Sequence, residues 1–294
     1  MTFSPNKKDV FKSIENRKQN VLFILLFPTT IWLLIFFVLP LIFVLVYSFL
    51  ERGTYGGINW NLTLESYQRL INPLYWRVLW RSLQLAALTT FICLIIAYPL
   101  AFFIVTRPLH WRNILLGLVI IPFWTNFLVR TYAWIVILGN EGVVNSILES
   151  LQLIEEPLDL LFTPFAVIIG LIYGYLPFMI LPLYATLERF DFSLVEAAQD
   201  LGANDFRSFW RIIFPLTKPG IIAGSILVFI PALGAFITPD ILGGAKTLMV
   251  GNLIQNQFLQ ARNWPFGSAL SMVLMGIILI PILLYLQTQI TNSD

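Results

Sequence analysis

The sequence predicts an all-α, polytopic membrane protein built as a six-helix transmembrane bundle. Three observations carry that prediction. Hydrophobic residues make up 58% of the chain and charged residues only 12%, against roughly 25% charged in an average soluble domain. Six apolar blocks are long enough, or nearly so, to cross about 30 Å of hydrocarbon as helix. Lys and Arg are divided unevenly among the segments that join those blocks. Residues 1–294 read as one integrated membrane domain, with no soluble domain attached.

The elements follow in order. A polar tail, residues 1–20, carries Lys7, Lys8, Lys12, Arg17 and Lys18. The first block, Val21–Leu50, has thirty uncharged residues, so it must tilt, bend near Pro28 or Pro40, or protrude. It lacks a small-residue cleavage site and reads as a retained span. The next blocks are Ser82–Thr106, Asn113–Leu138 and Pro164–Leu187. Gly220–Phe236 is barely long enough, and Gly267–Gln287 completes the set.

Counting cations orients the bundle. The tail, Arg107 and Arg112, and the group Arg189, Arg207, Arg211 and Lys218 place eleven on one side. Arg52, Arg69, Arg77, Arg81, Lys246 and Arg262 place six on the other, in longer loops. Both termini and the polar segment 188–219 are therefore expected in the cytoplasm. The net charge of +2 reflects topology and does not point to nucleic acid. Cys93 is the single cysteine and His110 the single histidine, so neither an internal disulfide nor a metal site is expected. Prolines recur in most spans, which fits either ordinary kinks or helices that line a moving pathway.

Segment 188–219 is the most informative. Ser193-Leu194-Val195-Glu196 fits a capping box. Good helix formers follow, and Gly202 suits a left-handed helix end. A second short helix, about Asp205–Ile213, is expected to stop before Pro215. The spacing Glu196-Ala197-Ala198, Gly202, Ile212, Phe214-Pro215 resembles the EAA loop of ABC importer permeases, with Phe214 where that family usually has Leu. The resemblance implies the type I ABC importer permease fold. It also implies that Glu196, Ala197, Ala198, Gly202, Ile212 and Pro215 form a coupling helix seated in a groove of a cytoplasmic ATPase.

No catalytic constellation is visible. Gly243-Gly244-Ala245-Lys246-Thr247 imitates the end of a phosphate-binding loop, but Ala245 and Asp240 stand where that motif needs glycine. The chain is therefore expected not to be an enzyme and to hold no cofactor. ATP and magnesium would belong to a partner.

Thr238-Pro239-Asp240 through Gly251-Asn252 to Trp264-Pro265-Phe266-Gly267 resembles the outer loop of spermidine/putrescine importer permeases. Pro122-Phe123-Trp124-Thr125, Arg130-Thr131-Tyr132-Ala133-Trp134 and Gly139-Asn140-Glu141-Gly142 resemble the same group. The family commonly has Asp where this chain has Asn263. The resemblance implies two ATPase subunits, a second permease subunit and an extracytoplasmic substrate-binding protein, at the bacterial inner membrane. It leaves another small solute open as cargo.

A polyamine needs carboxylates for its ammonium groups and aromatic faces for its methylenes. Asp240, Glu141 and Asp159 are the candidate acids near the outer ends of spans, and Trp124, Tyr132 and Trp134 the candidate faces. The acidic loop that holds Glu141, Glu149, Glu155, Glu156 and Asp159 equally fits a solvated surface or a docking face, and the aromatics fit an interfacial belt. Arg130 is the one charge inside a span, an insertion cost on the order of 2.5–3.5 kcal/mol. It is expected to be structural, pairing with Glu141 or Asp240 or snorkelling outward. A gradient-driven secondary transporter would leave the 196–215 element without a purpose, and a membrane enzyme or channel finds no catalytic cluster or filter sequence.

Overall fold

The protein is described here by a computed structural model that covers residues 25–291. The predicted tail, residues 1–20, lies outside the described residues. Two compact units are present among the described residues, one made of residues 25–69 and 261–291, the other of residues 70–260.

In the first unit, α1 (Leu25–Ser48) is apolar and mostly exposed, as a lipid-facing helix would be, with Leu41, Val44 and Tyr47 half-buried and Ser48 buried towards its end. It stays continuous through Pro40 because the turn Leu34–Val38 is widened, with Leu39 N–H bonding to Leu34 O. The wider turn absorbs the amide that proline lacks. A feature the all-helical reading missed follows. Strands β1 (Leu50–Arg52) and β2 (Ile58–Leu62) form an antiparallel hairpin. Arg52 Nη2 donates to Ala261 O at 2.8 Å, and Gly57 N–H to Arg262 O at 2.9 Å. The short α2 (Glu65–Leu70) comes next, and Ser48 Oγ and Tyr67 OH share a hydrogen bond of 2.8 Å. The last helix of the chain, Trp264–Thr291, packs on α1, with Trp264 and Tyr47 rings 6.4 Å apart.

The second unit is centred on three mutually packed helices: α3 (Pro73–Val105), the span Pro164–Glu188 and the helix Lys218–Leu233. Small residues let their backbones approach. Ala97 and Ala101 are fully buried against Met179, Leu183 and Val228. A Cβ on Gly224 would come to 2.7 Å from Met179 Sδ. Cys93 sits in this core as a small packing residue.

Two predicted spans change form. The block expected to cross once at Asn113–Leu138 is broken into α4 (Leu109–Ile120), a tight turn Ile121–Trp124 and α5 (Phe127–Leu138). Pro122 opens that turn, Thr125 is extended, and Asn126 Oδ1 restarts the helix by accepting from Leu128 N–H at 2.8 Å. After α5 come α6 (Val143–Ser150) and then α7 (Pro164–Glu188). The fifth block is also shorter than expected. The helix Lys218–Leu233 has 16 residues, about 24 Å at 1.5 Å each. It is preceded at a 64° bend by the segment Asp205–Leu216.

Candidate functional site

The polar segment folds as a bent helix pair: α8 (Ser193–Asp200) and α9 (Asp205–Leu216). Its start corrects the expected capping box. Phe192 occupies the cap position with no side-chain bond, and Asp191 Oδ1 accepts from Ser193 N–H at 3.0 Å instead. The capping acceptor lies two residues before the expected Ser193, leaving Glu196 exposed. Hydrogen bonds from the Ser193 side chain and backbone hold the Asp191 carboxyl below its usual range. The stabilisation from those hydrogen bonds is therefore fully present above the ordinary carboxylate pKa and is lost as pH falls through the lowered folded value.

The end of α8 matches expectation. Gly202 is left-handed at φ +85°, Ala203 N–H bonds to Ala198 O at 2.9 Å and Gly202 N–H to Gln199 O at 2.8 Å, the pattern of a Schellman motif. Asn204 Oδ1 then caps α9 through Arg207 N–H at 2.9 Å.

Pro215 does not stop the second helix. A widened turn at Phe209–Ile213, closed by Phe214 N–H to Phe209 O, shifts the ladder so that proline's missing donor is tolerated. The break falls two residues later, at Thr217. This residue is buried, and its hydroxyl bonds to Ile213 O at 2.9 Å and shares a hydrogen bond of 2.8 Å with Tyr98 OH from α3. Tyr98 also packs edge-on against Phe209 at 5.4 Å. The bent pair is thus fastened to the helical core at its elbow, while its outer surface is apolar and open. Leu201 is 90% exposed, and Leu194, Phe206 and Trp210 are exposed beside it. Ala197 is exposed, whereas Ala198, Ile212 and Pro215 are half-buried.

At the other end of α10 (Lys218–Leu233) the backbone is irregular. Asp240 stands in a widened turn, Pro239–Gly243, packed between α5 and α7. A Cβ on Gly170 would come to 2.7 Å from Thr238 Cγ2, and one on Gly243 to 2.8 Å from Val167 Cγ2. Irregular backbone at membrane depth is tolerated where it packs on protein in this way. Asp240 is exposed, and its Oδ1 accepts from Asn252 Nδ2 of α11 (Val250–Leu259). A cavity of aromatic and small-residue walls lies beside the turn, lined by Phe127, Tyr175, Pro231, Gly234, Phe236 and Thr238.

Arg130 corrects a second expectation, because its company is aromatic and not acidic. The guanidinium lies 4.4 Å from the Phe123 ring centre and 5.8 Å from those of Phe127 and Tyr173. Its Nε and Nη1 are buried without a hydrogen-bond partner among the described residues. Stacking on ring faces offsets part of the cost of a buried cation.

The remaining candidates are scattered. Trp124 is 84% exposed and Tyr132 is exposed. Trp134 packs edge-on against Tyr173 at 5.6 Å. Glu141 and Asp159 are exposed in the acidic loop. The buried Asn145 organises that loop, donating to Gly139 O and Leu158 O at 3.1 Å and accepting from Leu158 N–H at 3.0 Å. Reading the sequence alone overlooked Asn145, Asn252, Thr217 and Tyr98. Asn252 was present in a recognised pattern, but nothing in the pattern indicated its partner.

Comparison with known proteins agrees with this architecture. The chain is 47% identical, over 93% of its length and 95% of the relative's, to the spermidine/putrescine transport system permease protein PotB of Haemophilus influenzae. It is also 47% identical to the PotB protein of Escherichia coli, covering 85% of this chain and 92% of that one. A solved structure of a bacterial ABC transporter involved in importing the acidic polysaccharide alginate superposes with a TM-score of 0.71. At 19% identity it covers 97% of this chain and 100% of that one, and it shares the fold. Residues 96–292 match the model for the binding-protein-dependent transport system inner membrane component. With a helical membrane core, a bent polar helix pair fastened to it, and these matches across most of its length, the chain belongs to that family of transport permeases.

Proposed function

We propose that this chain is the permease subunit of an ATP-driven ABC importer for polyamines, spermidine or putrescine. The observation that carries the substrate is the 47% identity to a spermidine/putrescine permease over 93% of the chain. Asp240 is exposed in the turn that follows Thr238, and Thr238 lines a cavity with aromatic walls, a setting that suits a flexible cation. The whole of residues 1–294 acts as one permease domain in the bacterial inner membrane, with both termini cytoplasmic.

The chain's residues divide into two groups. Glu196, Ala197, Ala198, Gly202, Ile212 and Pro215 belong to the coupling element, whose apolar outer surface meets an ATPase subunit. Two such subunits bind ATP and magnesium and do the hydrolysis. Motion of the bent pair reaches α10 through the Thr217–Tyr98 elbow. Asp240, Glu141 and Asp159, with Trp124, Tyr132 and Trp134, supply charge and aromatic faces on the substrate's route. Arg130 is structural, held on its rings. A second permease completes the pathway, and an extracytoplasmic binding protein delivers the cargo.

The test is uptake of labelled spermidine into proteoliposomes holding the complete complex, with and without ATP. An ammonium leaving water needs a fixed carboxylate, and a charge-assisted hydrogen bond is worth about 1.5–3 kcal/mol. Asp240→Asn is therefore expected to lower uptake efficiency roughly ten- to hundredfold, with ATPase assembly intact. Uptake of another solute but not of spermidine would move the substrate assignment.

Orientation has its own check. In a Cys93→Ala background, a cysteine introduced at Ala203 is expected to label only from the cytoplasmic side, and one at Gly57 only from outside. Labelling of position 203 from outside would remove the coupling role.

A further inference from the structure

Asn252 belongs to none of the roles above, yet its side chain is 2% exposed and fully engaged. Nδ2 donates both to Phe236 O at 2.7 Å and to Asp240 Oδ1, and Oδ1 accepts from Met249 N–H at 3.2 Å. The amide has one workable orientation, since turning it over would set its oxygen against two acceptors and its donors against an N–H. The residue itself is fixed from two further directions. Val250 N–H donates to Ser82 Oγ of α3 at 2.8 Å. Gly251 lies so close to the Gly234 and Ala235 carbonyls that a Cβ would meet 2.5 Å from Gly234 O.

Such rigid support is more than a turn requires. Phe236 O already accepts from Asp240 N–H at 3.0 Å, so the turn keeps a backbone hydrogen bond without Asn252. What the amide adds is a fixed position for one carboxylate oxygen, at an acid that is otherwise exposed. An acid with a free rotor loses entropy when it binds a cation, and a supported one has already lost it.

We infer that Asn252 is a positioning residue that holds the Asp240 carboxylate to receive an ammonium group of the transported cation. The inference rests on the polyamine reading above. Its test is a double-mutant cycle on spermidine uptake by the complete complex, with Asn252→Ala, Asp240→Asn and the pair. Each single change is expected to raise KM about tenfold at unchanged ATPase assembly, and the pair to raise it no further than Asp240→Asn alone. Multiplying effects, or an unchanged KM in Asn252→Ala, would overturn the role.

If Asn252→Ala fails to assemble, the exchange Asp240→Asn with Asn252→Asp keeps a hydrogen bond and one charge but moves the charge inward. It is expected to keep the raised KM, and a wild-type KM in that variant would overturn the proposal. Absence of spermidine uptake by the wild-type complex would instead refute the substrate reading, and this inference with it.

Discussion

Gly202→Trp is expected to abolish ATP-driven uptake, at least tenfold below wild type, while the protein still reaches the membrane in normal amount. Gly202 ends α8 at φ +85°, and a Cβ there would meet nothing within 4 Å among the described residues. Any L-residue then bears the left-handed strain, about 1–2 kcal/mol, but only a large one fills the open space beside the exposed Leu201. Gly202→Ala separates the two effects, since it carries the strain without the bulk and is expected to keep most uptake. Copurification of the ATPase with each variant reads the contact directly. Wild-type uptake by Gly202→Trp would leave the coupling element without its proposed partner.

The second large effect is expected at Gly251. A Cβ there meets carbonyl oxygens on both sides, and backbone cannot turn aside as a flexible side chain can. Overpacking of this kind costs about 1–3 kcal/mol, occasionally more. It also pushes Asn252 away from Asp240. Gly251→Ala should therefore lower the thermal midpoint of the purified protein and reduce uptake at least tenfold. Gly117→Ala is the control. That position is helical, with nothing among the described residues within 4 Å of a Cβ, so alanine should be neutral or slightly stabilising. Equal midpoints for the two variants would mean that the close approach of α11 to the end of α10 is not maintained.

Much of this protein follows from local chemistry that a sequence displays. Long apolar runs leave helix as the way to satisfy backbone groups in hydrocarbon, and the spans at Leu25–Ser48 and Pro164–Glu188 fall where composition puts them, whereas Pro73–Val105 starts well before the expected Ser82 and takes in Arg77 and Arg81, which were expected in a loop. Gly202 ends α8 as predicted, because a left-handed terminus favours glycine whatever surrounds it. The family pattern was likewise legible, since it lies in spacing along one chain.

Other features depend on residues far apart in sequence. Pro215 should have ended α9, but a widened turn at Phe209–Ile213 and the hydroxyl pair Thr217–Tyr98, 119 positions apart, move the bend to Thr217. Arg130 called for an acid on charge alone. Packing instead gave it the faces of Phe123, Phe127 and Tyr173, and Asp240 went to Asn252. Caps, turns and hydropathy act over a few residues, so the sequence determined where helices form and where α8 ends. The partner of a buried polar group depends on which carbonyl or ring a neighbouring helix brings within about 3–6 Å, and only the tertiary structure decided that.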